Sequence, residues 1–415
     1  MTIAAIIAEY NPFHNGHEYM IQKIKKETGA DYVIAVMSGN FTQRGIPGIA
    51  DKFVRAKMAV SCGVDAVFEL PVRFATASAE LFAGGATSFF HALSCIDYLA
   101  FGSECGDLND FTKASELLIN EPQEFKSAIQ VYLRQGFSYP KAFAEAVKTC
   151  GHEAGIPLGL LENPNNLLGL EYMKALRKLN SSIRPHTILR TGTGYHDAHT
   201  SFSKESGTLI ASASAIRNAL TNTTGSIALA QPLLPANAYR VFAENYGSLA
   251  PVTLDDFSLL LSTRIAAETK ESLATFLDVP KELADRIYGF RDEFMPFSEL
   301  INAIKHKQFT YARINRALLH ILLGLKEDTS ATSSLVPYAR LLAMKKSASP
   351  LMKELKEHTQ IPIITKPADA RKLLSPAELT MFLEDVAAAD LYNRIISFKF
   401  GTPFVTDMKH RIELL

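Results

Sequence analysis

At roughly 100 to 200 residues per domain, a chain of 415 residues is expected to hold two or three domains, which excludes a small disulfide scaffold. Hydrophobic residues make up 47% and charged residues 21%, enough apolar material for real cores and too much for wholesale disorder. The 43 basic and 43 acidic side chains cancel, so any nucleic-acid surface must come from local segregation of charge. Cys62, Cys95, Cys105 and Cys150 lie far apart with no CxxC pair, which argues against a zinc or iron–sulfur site and leaves them as expected buried thiols. The N-terminal stretch has no basic n-region, and its apolar run ends at Glu9, too short for a signal segment or a membrane span. A soluble, cytoplasmic protein is expected.

Residues 3–8 (IAAIIA) form a continuous apolar run, the mark of a strand buried on both faces of a parallel sheet. After a loop over 9–15, Met20, Ile21 and Ile24 recur at helical spacing until Gly29, which suits a C-cap. The cycle repeats with a strand over 31–39, a helix over 52–62, a strand over 64–71, a helix over 78–93 and a strand over 96–104. Such alternation predicts an α/β fold with a doubly wound parallel sheet. From 107 to 179 the pattern is mainly helical, with a loop at Pro164–Asn166. A strand over 184–190 follows, then a glycine-rich turn (191–197), a serine-rich segment and a helix near 215–220. Residues 1–220 are therefore read as one nucleotide-binding domain with a helical insertion. Residues 221–415 are read as a second, mostly helical domain, apart from a short strand candidate at 362–366.

The segment EYNPFHNGHEY (9–19) ends the first strand and opens the first helix. Gly16 lets a phosphate approach the backbone, and the helix start offers free N–H groups and the positive end of its dipole. His14 and His17, three apart at a solvent-facing turn, point the same way, so their imidazoles would donate to an α-phosphate whose charge grows as pyrophosphate leaves. His14-Asn15-Gly16-His17 resembles the H-x-G-H signature of the nucleotidyltransferase superfamily. No P-loop and no G-x-G-x-x-G follows the strand. Ser212-Ala-Ser214-Ala-Ile-Arg217 resembles the superfamily's second signature, in which Arg217 would hold the leaving pyrophosphate. On its own the same segment is also an ordinary serine N-cap followed by a surface arginine.

Longer stretches narrow the family. AEYNPFHNGH (8–17), VMSGNFTQRG (36–45), DAVFELP (65–71), FGSECGD (101–107), PNNLLGLEY (164–172) and RTGTGYHD (190–197) together resemble the bacterial tRNA(Met) cytidine acetate ligase family, over essentially the whole chain. The resemblance implies an enzyme that activates acetate with ATP, assisted by Mg²⁺, as acetyl-adenylate. It then transfers acetyl to the wobble cytidine of elongator methionine tRNA. It also implies an ATP loop that begins with Ile7, Ala8 and Glu9 at the strand end and turns through Tyr10, Asn11, Pro12 and Phe13. The loop continues with His14, Asn15, Gly16 and His17 and closes on Glu18, Tyr19 and Met20. Gly102, Asn165 (with Asn166 as the alternative) and Arg190 would complete the nucleotide pocket, with His14, His17 and Arg217 carrying the chemistry. No metal-binding residues are implied. Arg44 would hold a phosphate, cap a helix or pair with Asp51, and His196-Asp197 is read as a loop-stabilising pair or an oriented histidine.

Residues 301–320 carry Lys305, Lys307, Arg313 and Arg316 with no acid, and residues 340–372 carry Arg340, Lys345, Lys346, Lys353, Lys356, Lys366, Arg371 and Lys372 against three acids. Charge segregated in this way suits a phosphate backbone, and Tyr311 and Tyr338 among it would stack on an unpaired base. The same main motif would equally serve a nucleotidyltransferase that joins AMP or CMP to a small phosphorylated metabolite, or an RNA-binding adaptor built on a relic nucleotide fold. The helical basic region favours the ligase over the former, and the intact histidine pair disfavours the latter.

Overall fold

A computed structural model describes residues 1–137, 139–153, 155–161, 163–190, 201–203, 207–221, 226–306, 309–327 and 335–415. The glycine-rich turn at 191–197, His196-Asp197 and Lys307 lie outside the described residues. Strand β1 (Ile3–Ala8), helix α1 (Asn15–Thr28), β2 (Tyr32–Ser38), α2 (Lys52–Ser61), β3 (Ala66–Leu70), the helix Ala79–Leu93 and β4 (Tyr98–Ser103) alternate as expected. β5 (Arg184–Leu189) follows the helical insertion. β1 pairs in parallel with β2 on one side and β4 on the other, β3 extends β2, and β5 extends β4. Its residues Ile3–Ile6 are at most 3% exposed because helices cover both faces, which is why the run is apolar without alternation. Each large apolar side chain so buried contributes roughly 1.5–3 kcal/mol. A small antiparallel pair, β6 (Ser201–Ser203) and β7 (Thr208–Ile210), stands apart from this sheet.

The region beyond 221 is less uniformly helical than its spacing suggests. β8 (Ala339–Met344) lies antiparallel on β3, and β9 (Ile363–Ile364) and β10 (Glu413–Leu414) pair in parallel with β8. The main sheet thus runs β10-β8-β3-β2-β1-β4-β5, mostly parallel with one antiparallel step. YARLLAM was missed because six residues buried throughout, Arg340 among them, show no alternation that separates a strand from a helix. Most of the helices between Ser258 and Leu323, with the later part of Pro376–Phe400, build a further core centred on Phe257, Phe276, Phe297, Ile314, Leu318 and Tyr392. Phe41 and Val72 contribute to it, whereas Ala236–Asn245 and Ser349–His358 pack against the sheet. Pro164–Asn166 is also not a loop. Proline suits the first helical position, so these residues form the opening turn of the helix Pro164–Lys178, with Asn163 as N-cap. Among the cysteines, Cys62 is buried and the other three are half-buried.

Two buried polar clusters lock this frame. The guanidinium of Arg55 donates to the carbonyls of Glu9 at 2.6 Å and Ser38 at 3.2 Å, and so pins the carboxyl ends of β1 and β2 together. Lys52, Glu69, Arg340 and Asp407 form a second cluster beneath β3 and β8, in which every side chain is 5% exposed or less.

Candidate active site

The sheet order reverses at β1, where a crevice opens at the carboxyl ends of the strands. Two connected lobes fill it, with cavity volumes of about 220 and 210 Å³. His14, Gly16, Ser212, Ser214 and Arg217 line the smaller lobe. Gln43, Phe82, Phe101 and Tyr172 line the larger, and Glu9, His17, Arg44, Gly102, Asn165 and Arg190 line both.

His14 is the N-cap of α1 and His17 its third helical residue. The rings stack with centroids 3.6 Å apart, and the His14 backbone N–H donates to His17 Nδ1 at 3.2 Å. That bond places the His17 proton on Nε2, leaving one N–H donor for a ligand. His14 is 7% exposed, so this turn is buried rather than solvent-facing. Burial, followed by the charges of Arg190 and Arg217, lowers the His14 pKa to about 3. Burial and the neighbouring His14 hold His17 well below its ordinary value too. Both rings are therefore neutral donors. His14 Nδ1 is buried with no partner among the described residues, and a Cβ at Gly16 would come within 3.1 Å of His14 Cε1. Only glycine leaves the ring and the helix start open together.

Not every residue of the 7–20 run faces the cleft. Asn15 donates to Leu209 O at 2.8 Å and Pro232 O at 3.0 Å, fastening β7 over the helix start. Asn11 accepts from Ile49 N at 2.7 Å with its side chain, and its own carbonyl accepts from Arg217 Nη1 at 2.7 Å. Pro12, Phe13, Asn15 and Glu18 do not line either lobe, whereas Ile7, Ala8, Tyr10, Asn11, Tyr19 and Met20 do.

The second signature lies where the sequence suggests. Ser212 Oγ accepts from Ala215 N at 3.2 Å at the start of the helix Ala213–Thr221, and Arg217 Nη2 donates to Ser214 Oγ at 3.0 Å. Arg44, Arg190 and Arg217 converge on the smaller lobe. Burial depresses all three, while Glu9 supports the charge of Arg44 and Arg217 and Glu104 that of Arg190. Three cations against the one carboxylate of Glu9 make an anion site. Asp51 is not the partner of Arg44: it caps α2 by accepting from Phe53 N at 2.8 Å. Asn165 donates to Glu104 Oε1 at 2.5 Å and keeps its place on the cleft wall. Asn166, 1% exposed, accepts from Glu104 N at 2.9 Å and is a brace for the β4 end. A Cβ at Gly102 would press on Arg190 Cγ at 3.2 Å. Glu104, Phe82 and Tyr172 were missed because nothing local marks a residue whose role arises from a contact tens of positions away.

The basic segments divide. Arg340 is 2% exposed and bonds Asp407 at 2.5 Å, and Tyr338 is fully buried and donates to Asp385 at 2.6 Å, so neither can meet RNA. Arg316 is tied to Asp278 at 3.0 Å and Lys345 to Asp65 at 2.8 Å. Arg340 was misread because a buried strand carries it inward, while Arg316 and Lys345 each pair with an acid far away in sequence. Lys305 and Tyr311 are exposed and Arg313 is half-buried. The helix that carries Tyr311 and Arg313 lies beside the cleft, because Asn315 donates to Arg44 O at 2.7 Å and Gly45, at φ 75°, packs on the Arg316 backbone where a Cβ would come within 2.7 Å. No helix among the described residues is long and apolar enough to cross a membrane.

The model of the HIGH Nucleotidyl Transferase family matches residues 1–402. A tRNA(Met) cytidine acetate ligase of Acetivibrio thermocellus is 36% identical over 399 residues, covering 94% of each chain. One of Clostridium perfringens is 37% identical over 408 residues, covering 95% of each. The crystal structure of Thermotoga maritima TmcAL bound with alpha-thio ATP superposes with a TM-score of 0.88 at 28% identity, and the apo form with 0.91, each covering 100% of both chains. The chain belongs to the HIGH nucleotidyl transferase family and, within it, to the tRNA(Met) cytidine acetate ligase family.

Proposed function

We propose that this protein is an ATP-dependent ligase that forms N4-acetylcytidine at the wobble position of elongator tRNA(Met) in the cytoplasm. The observation that carries the reading is the convergence of the His14/His17 helix end with Arg190 and Arg217 on one lobe, in a chain whose relatives of known name are acetate ligases. Acetate attacks the α-phosphate and pyrophosphate leaves. Neutral His17 donates a hydrogen bond from its Nε2–H to the phosphoryl oxygens as their charge grows, and the helix dipole and Arg217 stabilise the same charge. Ile188 and Ile210 offer an apolar shelf for the purine, with Gly102, Asn165 and Arg190 around it. The tRNA amine then attacks the mixed anhydride and AMP departs.

Magnesium accompanies this chemistry as an ion carried by the triphosphate. One carboxylate against three arginines lines the cleft among the described residues, so such an ion would be held by phosphate oxygens and its own waters rather than by protein side chains. When bound, such an ion neutralises phosphate charge. The division near residue 221 is proposed as one of labour: residues 1–220 adenylate, and cations of 221–415, among them exposed Lys305 and half-buried Arg313, receive the tRNA backbone. The test is incubation with ATP, labelled acetate and bulk tRNA. Label in acetylcytidine is the expected result, and label in no nucleoside refutes the reading.

A further inference from the structure

The two lobes divide the reaction between them. The histidines' helix end and Arg217 belong with the triphosphate, which leaves the larger lobe, walled by Phe82, Phe101 and Tyr172, for the incoming base. The reactive carbonyl must lie where the lobes meet, since it is bonded to the α-phosphate on one side and attacked from the other. The exocyclic amine of cytosine is a weak nucleophile because its lone pair is delocalised into the ring. Its attack therefore calls for a proton acceptor at that junction.

Five polar side chains line both lobes: Glu9, His17, Arg44, Asn165 and Arg190. The arginines are cations, and the Asn165 amide is engaged with Glu104. His17 already spends its Nδ1 lone pair on the His14 N–H and carries its proton on Nε2. Glu9 remains. Its Oε1 accepts from Gln43 N at 3.0 Å, and among the described residues no hydrogen bond claims Oε2. Its backbone carbonyl is clamped by Arg55 at 2.6 Å, so the carboxylate is held in place. Beside it, the Gln43 amide donates to Ala77 O at 3.1 Å, which leaves its carbonyl oxygen as an acceptor for an amine on the same wall.

Building on the ligase reading, we propose that Glu9 is the catalytic proton acceptor of the acetyl-transfer step, acting on the cytosine amine in the lobe walled by Phe82, Phe101 and Tyr172. The amine nitrogen bonds to the acetyl carbon and its proton passes to the Glu9 carboxylate. The bond between that carbon and the phosphate oxygen breaks, and AMP leaves with the electron pair. Glu9 then returns the proton to water.

Glu9→Gln is isosteric and keeps an oxygen for the Gln43 N–H. Two half-reactions are measured on the full chain: acetate-dependent ATP–pyrophosphate exchange, and single-turnover transfer from enzyme-bound acetyl-adenylate to tRNA across a pH series. Exchange is expected to fall as well, because Glu9 faces the triphosphate lobe beside Arg44 and Arg217, but transfer falls further, by an additional factor of about 10² to 10⁴, the scale of a lost general base. The acid limb of the transfer profile should vanish, and Glu9→Asp should restore part of the rate and the limb. Equal losses in both half-reactions, normal transfer, or an unchanged acid limb overturn the proposal while leaving the ligase reading intact. A wild-type chain without acetate-dependent exchange refutes the reading and the proposal together.

Discussion

Asp407→Asn, Lys52→Met and the double substitution test how the second sheet edge is held. Lys52 Nζ lies 2.8 Å from Glu69 and 3.1 Å from Asp407, and Arg340 Nη1 lies 2.5 Å from Asp407 and 3.1 Å from Glu69. Two cations and two carboxylates meet in a site closed to water, with the buried Asp385 near enough to feel Glu69 and Lys52. Asp407→Asn leaves both cations facing Glu69 alone, and stranding a buried charge in this way costs about 3–5 kcal/mol. Lys52→Met strands a carboxylate at similar cost. The double variant leaves Arg340 paired with Glu69, a neutral remainder, so its loss should fall short of the sum of the singles by about 2 kcal/mol. Urea unfolding followed by circular dichroism and tyrosine fluorescence reads this directly, since the chain has no tryptophan. Additivity within about 0.5 kcal/mol, or a cost below about 1 kcal/mol for Asp407→Asn, would refute the reasoning. The cluster also has a pH signature. Burial raises the Asp407 pKa, but Lys52 and Arg340 outweigh it and bring it down to about 2. The stabilisation is therefore complete above the unfolded value near about 4 and is lost as pH falls toward 2.

His14→Ala or His17→Ala should lower ATP–pyrophosphate exchange by about a hundredfold, the scale of one lost oxyanion donor, and near-normal exchange would remove the pair from the chemistry. His14, His17 and His320 are all held below their ordinary value, mainly by burial. Their contribution is present above the unfolded value and lost as pH falls, since the unfolded chain takes up protons that the native one refuses. Stability should therefore decline below about pH 6.5, by up to about 1.4 kcal/mol per pH unit for each histidine, and His14→Asn should flatten the decline in urea midpoints. Reversing the charges of Lys305 and Arg313 should reduce the log–log salt slope of tRNA binding by about one unit per lost phosphate contact and impair transfer more than exchange. Unchanged affinity and slope would place the tRNA elsewhere.

The α/β half was legible because each of its elements carries a local signal. The apolar run at 3–8, the glycine after Thr28 and the serine before Ala79 mark the ends of elements by mechanisms confined to a few residues. The HNGH helix end and Arg217 were legible for the same reason. What stayed hidden depends on distant partners. Arg340 reads as a surface cation until Asp407 is seen beside it, Asn166 reads as a nucleotide contact until the Glu104 amide claims it, and β8 is only an ambiguous apolar run until β3 presents its edge.

The pairing of β3 with β8 carries a cost in time. The strand that covers β3 follows it by about 270 residues, so during synthesis the outer edge of β3 waits without its partner. At about 5 to 20 residues per second that interval lasts roughly 15 to 50 s, during which Val67 and Phe68 offer an open, apolar edge to any neighbouring nascent chain. The nucleotide cleft beside it can be roughly shaped long before the sheet is closed. The strands that floor the cleft and the strand that covers their outer edge therefore emerge at different moments, the second set by the arrival of residues 339–344.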